Sequence, residues 1–222
     1  MADSILDDVS IALINSKKLP ISFASIEEII SDEDSSENYY NKVYERPEWP
    51  GGASGVTIAL GYDLGYANKD KIIKDFKNKI SNEMLNVLLS ISGITGIAAH
   101  DAMIRTRNEI LIPWGIALEI FLDNDMPNWI ATVQKVLLNT NLLSPDCLGV
   151  LVSIAYNRGA SFHAAGDRYK EMRAISTDMF MKNFKDIPNQ IRSMARLWPS
   201  TNGVHSRRLR EANLFEKGLN TK

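Results

Sequence analysis

The sequence predicts a mainly α fold of the α+β type, with a helical bundle lobe, one small β-hairpin lobe and a cleft between them. Apolar residues recur at helical spacing through most of the chain after residue 68. One segment, GVTIALGYDLGY at 55–66, is instead rich in glycine and carries a short β-branched run. With 222 residues, 45% hydrophobic and 23% charged, the chain has the size and composition of one globular domain.

The first 35 residues are predicted to form a helical extension before a main domain over 36–222. The acidic run DEDSS at 32–36 is typical of a solvated boundary. Ser35 or Ser36 is the predicted N-cap of the helix that follows. The extension has two open interpretations: helices packed on the bundle, or a segment for translocation or for a partner.

The helices beyond the hairpin segment are predicted from their caps and apolar spacing. The clearest one lies in SPDCLGVLVSIAYNRG, where Ser144 is the N-cap, Pro145 takes the first helical position and Gly159 ends the helix. Its apolar residues lie on nearly all sides, which predicts a central core helix. The other predicted helices cover 68–80, 81–92, 112–124, 126–139, 168–176 or 177–185, 187–198 and 206–218.

Composition excludes several classes of protein. A formal net charge of −2 gives no global field toward nucleic acid or an anionic membrane, and the basic runs at 105–107 and 205–210 are predicted to be solvated. The single cysteine, Cys147, excludes an intramolecular disulfide, and the three histidines lack ligand spacing, so no metal or other cofactor is predicted. No secretory signal or membrane span is predicted, so the protein is expected to be made in the cytoplasm and delivered by a non-classical route.

Two carboxyl groups and a hydroxyl around the hairpin indicate glycoside chemistry. Glu45 is predicted at the C-terminal end of a helix among aromatic residues, where the helix dipole and apolar surroundings raise the pKa of a carboxyl group. A hairpin would bring Asp63 to face Glu45, with Thr57 between them to hold a water molecule. One protonated and one ionised carboxyl group form the usual machinery of glycoside hydrolysis. The alternative is an ordinary surface acid and a turn residue, which spacing alone does not exclude.

The hairpin segment also resembles the TIGxGxxL signature of the phage-type lysozyme superfamily, and most closely its pesticin-like muramidase branch. Later blocks that are similar to the family follow in order: LVSIAYNRG at 151–159, GDRYKEMRAI at 166–175, MARLWP at 194–199 and SRRLREANLF at 206–215. The resemblance covers roughly residues 36–216. It implies a lysozyme-like fold, with Glu45 as the general acid, Thr57 as the water-positioning hydroxyl and Asp63 as the second carboxylate.

The segment departs from the family pattern at two places. Ala59 replaces a glycine of the common TIGIGY, which is tolerated if φ is negative and harmful if φ is positive. Positions 51–56 lack the aspartate that the phage enzymes carry before the threonine, so the role of the second carboxylate falls on Asp63 alone. Glu48, predicted to be extended and outside the helix, competes with Glu45 for the acid role, and Glu45 is favoured.

Four side chains are predicted to bind substrate: Tyr62, Tyr66, Asn157 and Arg158. Tyr62 and Tyr66, together with Trp49, suit stacking on sugar rings, although cross-strand packing is an equal alternative. Asn157 and Arg158 end the central helix near the predicted cleft. There the amide of Asn157 suits hydrogen bonding to an N-acetyl group or a hydroxyl of the substrate. The alternative is that the two residues only end the helix, where the charge of Arg158 is favourable to the helix dipole.

The resemblance implies a muramidase that cleaves the β-1,4 bond between N-acetylmuramic acid and N-acetylglucosamine in peptidoglycan. The relatives are inverting, which by analogy is expected here. Such an enzyme would act in the periplasm or cell wall as a phage endolysin or an antibacterial effector, with an immunity protein or a secretion-system component as a further expected partner. The alternatives are a catalytically inactive lysozyme-like module that binds glycan or delivers a toxin, and a lytic transglycosylase.

Overall fold

The computed structural model describes residues 6–30 and 37–221, and in these ranges the chain is mainly helical with one two-stranded antiparallel sheet. Helices α1 to α12 are Asp8–Ser16, Phe23–Ile30, Glu37–Val43, Lys69–Phe76, Asn82–Ser90, Ile97–Thr106, Trp114–Ile120, Met126–Val136, Pro145–Arg158, Lys170–Met181, Ile187–Met194 and Gly203–Leu219. Strands β1 and β2 are Thr57–Ile58 and Tyr62–Asp63. The mainly α class with a small hairpin is thereby confirmed. The predicted boundary at residue 35 and the caps Ser35 and Ser36 lie outside the described residues.

Helix α9 forms as its sequence predicts. The Ser144 Oγ accepts a hydrogen bond from the Cys147 N–H at 3.3 Å, and Pro145 begins the helix. Gly159 follows the last turn with φ of +76°. Every residue from Cys147 to Ala155 is buried, so α9 is the predicted core helix.

Helices α4 and α5 begin at side-chain caps inside the predicted ranges. The Asn68 Oδ1 accepts from the Lys71 N–H at 2.9 Å, and the Ser81 Oγ accepts from the Met84 N–H at 3.1 Å. These bonds satisfy backbone donors that the first turn of a helix leaves unpaired, which is why each helix starts at that residue.

Three helices differ from the prediction. Helix α10 joins the two alternatives, 168–176 and 177–185, into one helix. The predicted helix over 112–124 divides into α7 and a π-helical turn, Phe121–Asp125. Helix α6 was not predicted: it begins after Gly96, which has φ of +67° and provides no side-chain cap, so the sequence carries no start signal there.

The described residues form two compact units. The helical unit contains α2 and α8 to α12, and the hairpin unit contains residues 8–13, α3 to α7 and both strands. In the helical unit, α9 packs on α2, α8 and α12. Helix α2 lies so close to α9 that a Cβ atom at Gly149 would be 1.9 Å from the Ser25 Oγ. Helix α2, part of the predicted extension, thus packs within the bundle.

The basic run at 205–210 is not solvated as predicted, because two of its arginines are buried in the helical unit. Arg207 and Arg208 are 1% and 0% exposed. Both donate to Oε1 of the buried Glu211, at 3.2 and 2.9 Å. The Ser153 Oγ on α9 donates to the same oxygen at 2.5 Å. The run therefore forms a buried polar network between α9 and α12 that opposite charge and hydrogen bonding stabilise.

The core of the hairpin unit is organised around an aromatic pair. The Tyr40 hydroxyl on α3 donates to the Ile112 carbonyl at 2.8 Å, and the Tyr40 ring lies 5.3 Å from the Trp114 ring. The indole N–H of Trp114 donates to the Ser10 Oγ at 2.8 Å. These bonds satisfy the polar tips of buried aromatic rings and fix α3 and α7 where the hairpin segment follows.

Candidate functional site

A carboxylate, a hydroxyl and a second carboxylate lie in a row across three paired segments of the hairpin unit. Thr57 on β1 pairs with Asp63 on β2 in the antiparallel register. On its other side, Thr57 forms an antiparallel bridge with Glu48, with N–H to O distances of 2.8 and 2.9 Å. Residues directly opposite in antiparallel pairs share one face of a sheet. The structure therefore brings Thr57 and Asp63 together as predicted, and adds Glu48 to the row.

The carboxylate of Asp63 is held by backbone groups. The Gly55 N–H lies 3.1 and 3.2 Å from its two oxygens, and the Gly65 N–H donates to Oδ1 at 2.8 Å. This is possible because the two glycine backbones touch: a Cβ atom at Gly55 would lie 2.3 Å from the Gly65 nitrogen. An ionised carboxylate has about four acceptor positions, so at least one remains for a water molecule.

Glu45 lies just beyond the helix that was expected to carry it. Helix α3 ends at Val43, and the Glu45 N–H bonds back to the Tyr40 carbonyl at 2.9 Å. The Glu45 carbonyl accepts from the Ile112 N–H at 2.9 Å, which fixes the backbone at this position. Burial, and then the charge of Glu45, raise the pKa of the Tyr40 hydroxyl. The predicted opposition of Glu45 and Asp63 stays a prediction.

Glu48 is extended and outside the helix, as predicted, and is half-buried. Burial raises the pKa of its carboxyl group, and the nearby Arg107 guanidinium partly opposes the shift. Arg107 also donates to the Pro47 carbonyl, which ties α6 to the segment before the bridge. A raised pKa is what a general acid needs, so the structure gives Glu48 more weight than its sequence context did.

Ala59 adopts a left-handed backbone conformation, which is the unfavourable one of the two alternatives for alanine at this position. It has φ of +53° in the turn between the two strands and is buried. An alanine in this left-handed region is about 1–2 kcal/mol less stable than in the right-handed region, whereas glycine is nearly indifferent.

Replacing Ala59 with glycine is therefore expected to raise the free energy of unfolding by about 0.5–1 kcal/mol, because relief of strain exceeds the lost burial of one methyl group. Urea unfolding measures the change. The control is Ala165→Gly at an exposed position outside the left-handed region, which should not stabilise the protein. If Ala59→Gly is no more stable than the wild type, the backbone at Ala59 is not strained.

Tyr62 has a packing role in this structure. It is buried, and its hydroxyl donates to the Asp75 Oδ2 at 2.8 Å. Its ring meets the Phe76 ring edge-on at 5.1 Å, and the Lys71 ammonium lies 4.9 Å from its centroid. A second carboxylate of this cluster, Asp125, has its pKa raised to about 6, chiefly by burial. Tyr62 thus anchors β2 on α4, a contact of strand with helix that differs from the cross-strand packing expected as the alternative, and its predicted stacking on sugar stays a prediction.

Tyr66 is the predicted tyrosine that does lie at the surface. Its side chain is 73% exposed, and its hydroxyl donates to the Ala53 carbonyl at 3.1 Å. An aromatic ring held at its tip while its faces stay open is available to a ligand.

Asn157 and Arg158 belong to the helical unit, where both have internal partners. The Asn157 Oδ1 lies 3.5 Å from an Arg208 Nη2. Arg158 is buried, donates to the Arg168 carbonyl at 2.6 Å and lies over the Trp198 ring at 5.2 Å. Burial, and then the like charge of Arg168, lower the pKa of Arg158. These contacts describe a packed C-terminus of α9, and the predicted binding role of the two residues stays a prediction.

In comparisons with known proteins, no family model and no curated protein matches the chain. Among the described residues, no helix is both long and apolar enough to cross a membrane. The observations that bear on function are therefore the order of the sequence motifs and the row formed by Glu48, Thr57 and Asp63. The sequence favours Glu45 over Glu48 because Glu48 lies outside the helix, and no local pattern indicates that Glu48 pairs with Thr57.

Proposed function

We propose that the chain is a muramidase with a lysozyme-like fold, hydrolysing the β-1,4 bond between N-acetylmuramic acid and N-acetylglucosamine in peptidoglycan. A carboxyl group donates a proton to the leaving oxygen while an oxocarbenium-like centre develops. Thr57 and Asp63 position the water that attacks the opposite face of the sugar ring. Glu45 is the proposed acid on the family resemblance.

The observation that carries the proposal is the row of paired residues. Each antiparallel step separates Cβ atoms by roughly 5 Å, so Glu48 and Asp63 have Cβ atoms about 10 Å apart with the Thr57 hydroxyl between them. Inverting glycosidases separate their carboxyl groups by about 6.5–9.5 Å to leave room for water. Carboxyl groups carried on Cβ atoms about 10 Å apart can reach this separation, so the row fits an inverting hydrolase in which Glu48, whose pKa burial raises, is the acid in place of Glu45.

A second candidate function is a lysozyme-like module that binds glycan without turnover. The hydrogen bonds from Gly55 and Gly65 to Asp63 favour it, since they give this carboxylate a structural task. The same bonds also fix the carboxylate beside Thr57, as a water-positioning group requires. A lytic transglycosylase is less well supported. Its reaction needs one acid and no attacking water molecule, so it gives Thr57 and Asp63 no role.

The test is mass spectrometry of muropeptides released from purified sacculi by the wild type and by single variants. The variants are Glu45→Gln, Glu48→Gln, Thr57→Ala and Asp63→Asn, with Glu109→Gln as an exposed control. We expect reducing N-acetylmuramic acid ends from the wild type and the control, and at least about a 100-fold loss of rate when the general acid is removed.

The outcomes separate the functions. Loss with one glutamate variant identifies the acid, and loss with Thr57→Ala and Asp63→Asn supports their part in positioning water. Anhydro ends would indicate a transglycosylase, and reducing N-acetylglucosamine ends a glucosaminidase. Sacculi that bind the wild type but release no product would replace the muramidase with the binding module.

Delivery and partners follow from the proposed substrate. Peptidoglycan lies outside the cytoplasm, so the enzyme would reach the wall by phage release or by injection as an effector. In an effector, an immunity protein that blocks the site is the expected partner. Pull-down from the source cell with the inactive variant checks this, and purification without an inhibitor would favour an endolysin.

A further inference from the structure

Two aromatic side chains are fixed to the same short loop of the hairpin unit. The indole N–H of Trp49 donates to the Ser54 carbonyl at 3.1 Å, and the Tyr66 hydroxyl donates to the Ala53 carbonyl at 3.1 Å. Because consecutive carbonyls accept these bonds, both rings are anchored at their polar tips to the loop over 51–54. The orientation of each ring is therefore fixed before any ligand arrives.

The surface around this loop is open. Tyr66 is 73% exposed, and the imidazole of His100 on α6, with a side chain 38% exposed, lies 5.2 Å from the Trp49 ring in an edge-on contact. A Cβ atom at Gly51 or Gly52 would meet nothing within 4 Å, so the backbone between the aromatic anchors has free space beside it. A large ring that is held rigidly yet left exposed is not explained by packing.

The chemistry of this surface suits a saccharide. Tyrosine, tryptophan and histidine combine an apolar face with polar edges, and a pyranose ring likewise has C–H faces edged by hydroxyl groups. Rigid aromatic side chains bind at a low cost in conformational entropy. Exposed residues of purely aliphatic character would favour an apolar protein partner. Ile97, 70% exposed at the start of α6, is such a residue next to the loop, whereas the two rings lie beside loop backbone that is itself accessible.

The position of the surface ties it to the candidate site. Trp49 directly follows Glu48, and the loop leads through Gly55 to Thr57 on β1. The Gly96 N–H, at the start of α6, donates to the Ser54 carbonyl at 3.0 Å and holds the loop in place. The loop thus begins and ends next to the paired residues Glu48 and Thr57, and Trp49, as the neighbour of Glu48 in an extended segment, points to the opposite face from Glu48.

We propose that Trp49, Tyr66 and His100 form an aromatic platform that binds a β-1,4-linked N-acetylhexosamine chain next to the candidate site. The platform rests on the proposed function for the identity of its glycan. Its rings contact sugar faces without taking part in bond cleavage, so its residues position the substrate rather than act as catalytic residues.

The experiment measures binding of the β-1,4-linked N-acetylglucosamine tetramer by isothermal titration calorimetry. The variants are Tyr66→Ala, Trp49→Phe and His100→Ala, and the matched control is Phe180→Ala, an aromatic residue that is 62% exposed in the helical unit. Far-UV circular dichroism verifies that each variant is folded. We expect Tyr66→Ala to weaken binding about tenfold, Trp49→Phe and His100→Ala to weaken it less, and Phe180→Ala to bind as the wild type does.

Two results would overturn the platform: no binding of the tetramer by the wild type, or equal affinity of Tyr66→Ala and Phe180→Ala. Digestion of sacculi by the same proteins separates this inference from the proposed function. If Tyr66→Ala weakens binding but the wild type releases no product, the platform is supported and the muramidase function is wrong. If the wild type hydrolyses sacculi and all three platform variants bind as tightly as it does, the muramidase function is supported and the platform is wrong.

Discussion

Replacing Glu211 with glutamine is expected to lower the free energy of unfolding by about 3–5 kcal/mol. Glu211 is fully buried and is the carboxylate on which Arg207 and Arg208 converge. Without its charge, two guanidinium groups remain in a low-dielectric interior. Glutamine keeps the size of the side chain, so the loss measures the charge rather than a cavity.

Urea unfolding of Glu211→Gln and of Glu216→Gln makes the comparison. Glu216 pairs with Arg192 at 2.6 Å, but its side chain is 48% exposed, and exposed pairs contribute at most about 1 kcal/mol. The two substitutions are chemically identical on one helix and differ in burial. Similar losses for both would show that the buried network does not stabilise the helical unit as its contacts indicate.

The fold was predictable where the determinants are local. The cap at Ser144, the stop at Gly159 and the apolar sides of α9 lie within one helix, so the sequence alone predicts that helix and its burial. The burial of Arg207 and Arg208 was not predictable in this way. It depends on Ser153, more than fifty residues earlier, and a basic run is usually solvated.

The candidate site was partly predictable for the same reason. Thr57 and Asp63 lie six residues apart, so a tight hairpin pairs them. Tyr62 is adjacent to Asp63, and adjacent residues of a strand point to opposite faces. If Asp63 shares a face with Thr57, Tyr62 must lie on the other face, as its bond to Asp75 shows. The alternation of side chains along a strand therefore indicates that Tyr62 and Asp63 do not belong to one site.

The pairing of Glu48 with Thr57 and the contact of Trp49 with His100 required the tertiary structure. The bridge to Thr57 forms only after the chain reverses through the loop at 51–54, and the contact of His100 with Trp49 depends on α6, which has no start signal in the sequence. Such long-range pairings are set by register and packing, not by local propensity.

Replacing Gly55 with alanine is expected to destabilise the hairpin unit strongly. The new Cβ atom would lie 2.3 Å from the Asp63 Oδ1 and 2.4 Å from the Gly65 Cα. Backbone and carboxylate must both move, which breaks the bonds that hold Asp63. Overpacking of about 1–3 kcal/mol and lost charge-assisted hydrogen bonds of similar size together predict a loss of about 3–5 kcal/mol.

The matched control is Gly115→Ala on α7, where a Cβ atom meets nothing within 4 Å and the residue is exposed. Alanine is favoured over glycine within a helix, so this variant should be up to about 1 kcal/mol more stable than the wild type. Opposite signs for the same substitution in one unit would locate the effect in the contact of Gly55 with Gly65. If Gly55→Ala unfolds at the wild-type urea midpoint, the two backbones do not touch, and the geometry that fixes Asp63 beside Thr57 is wrong.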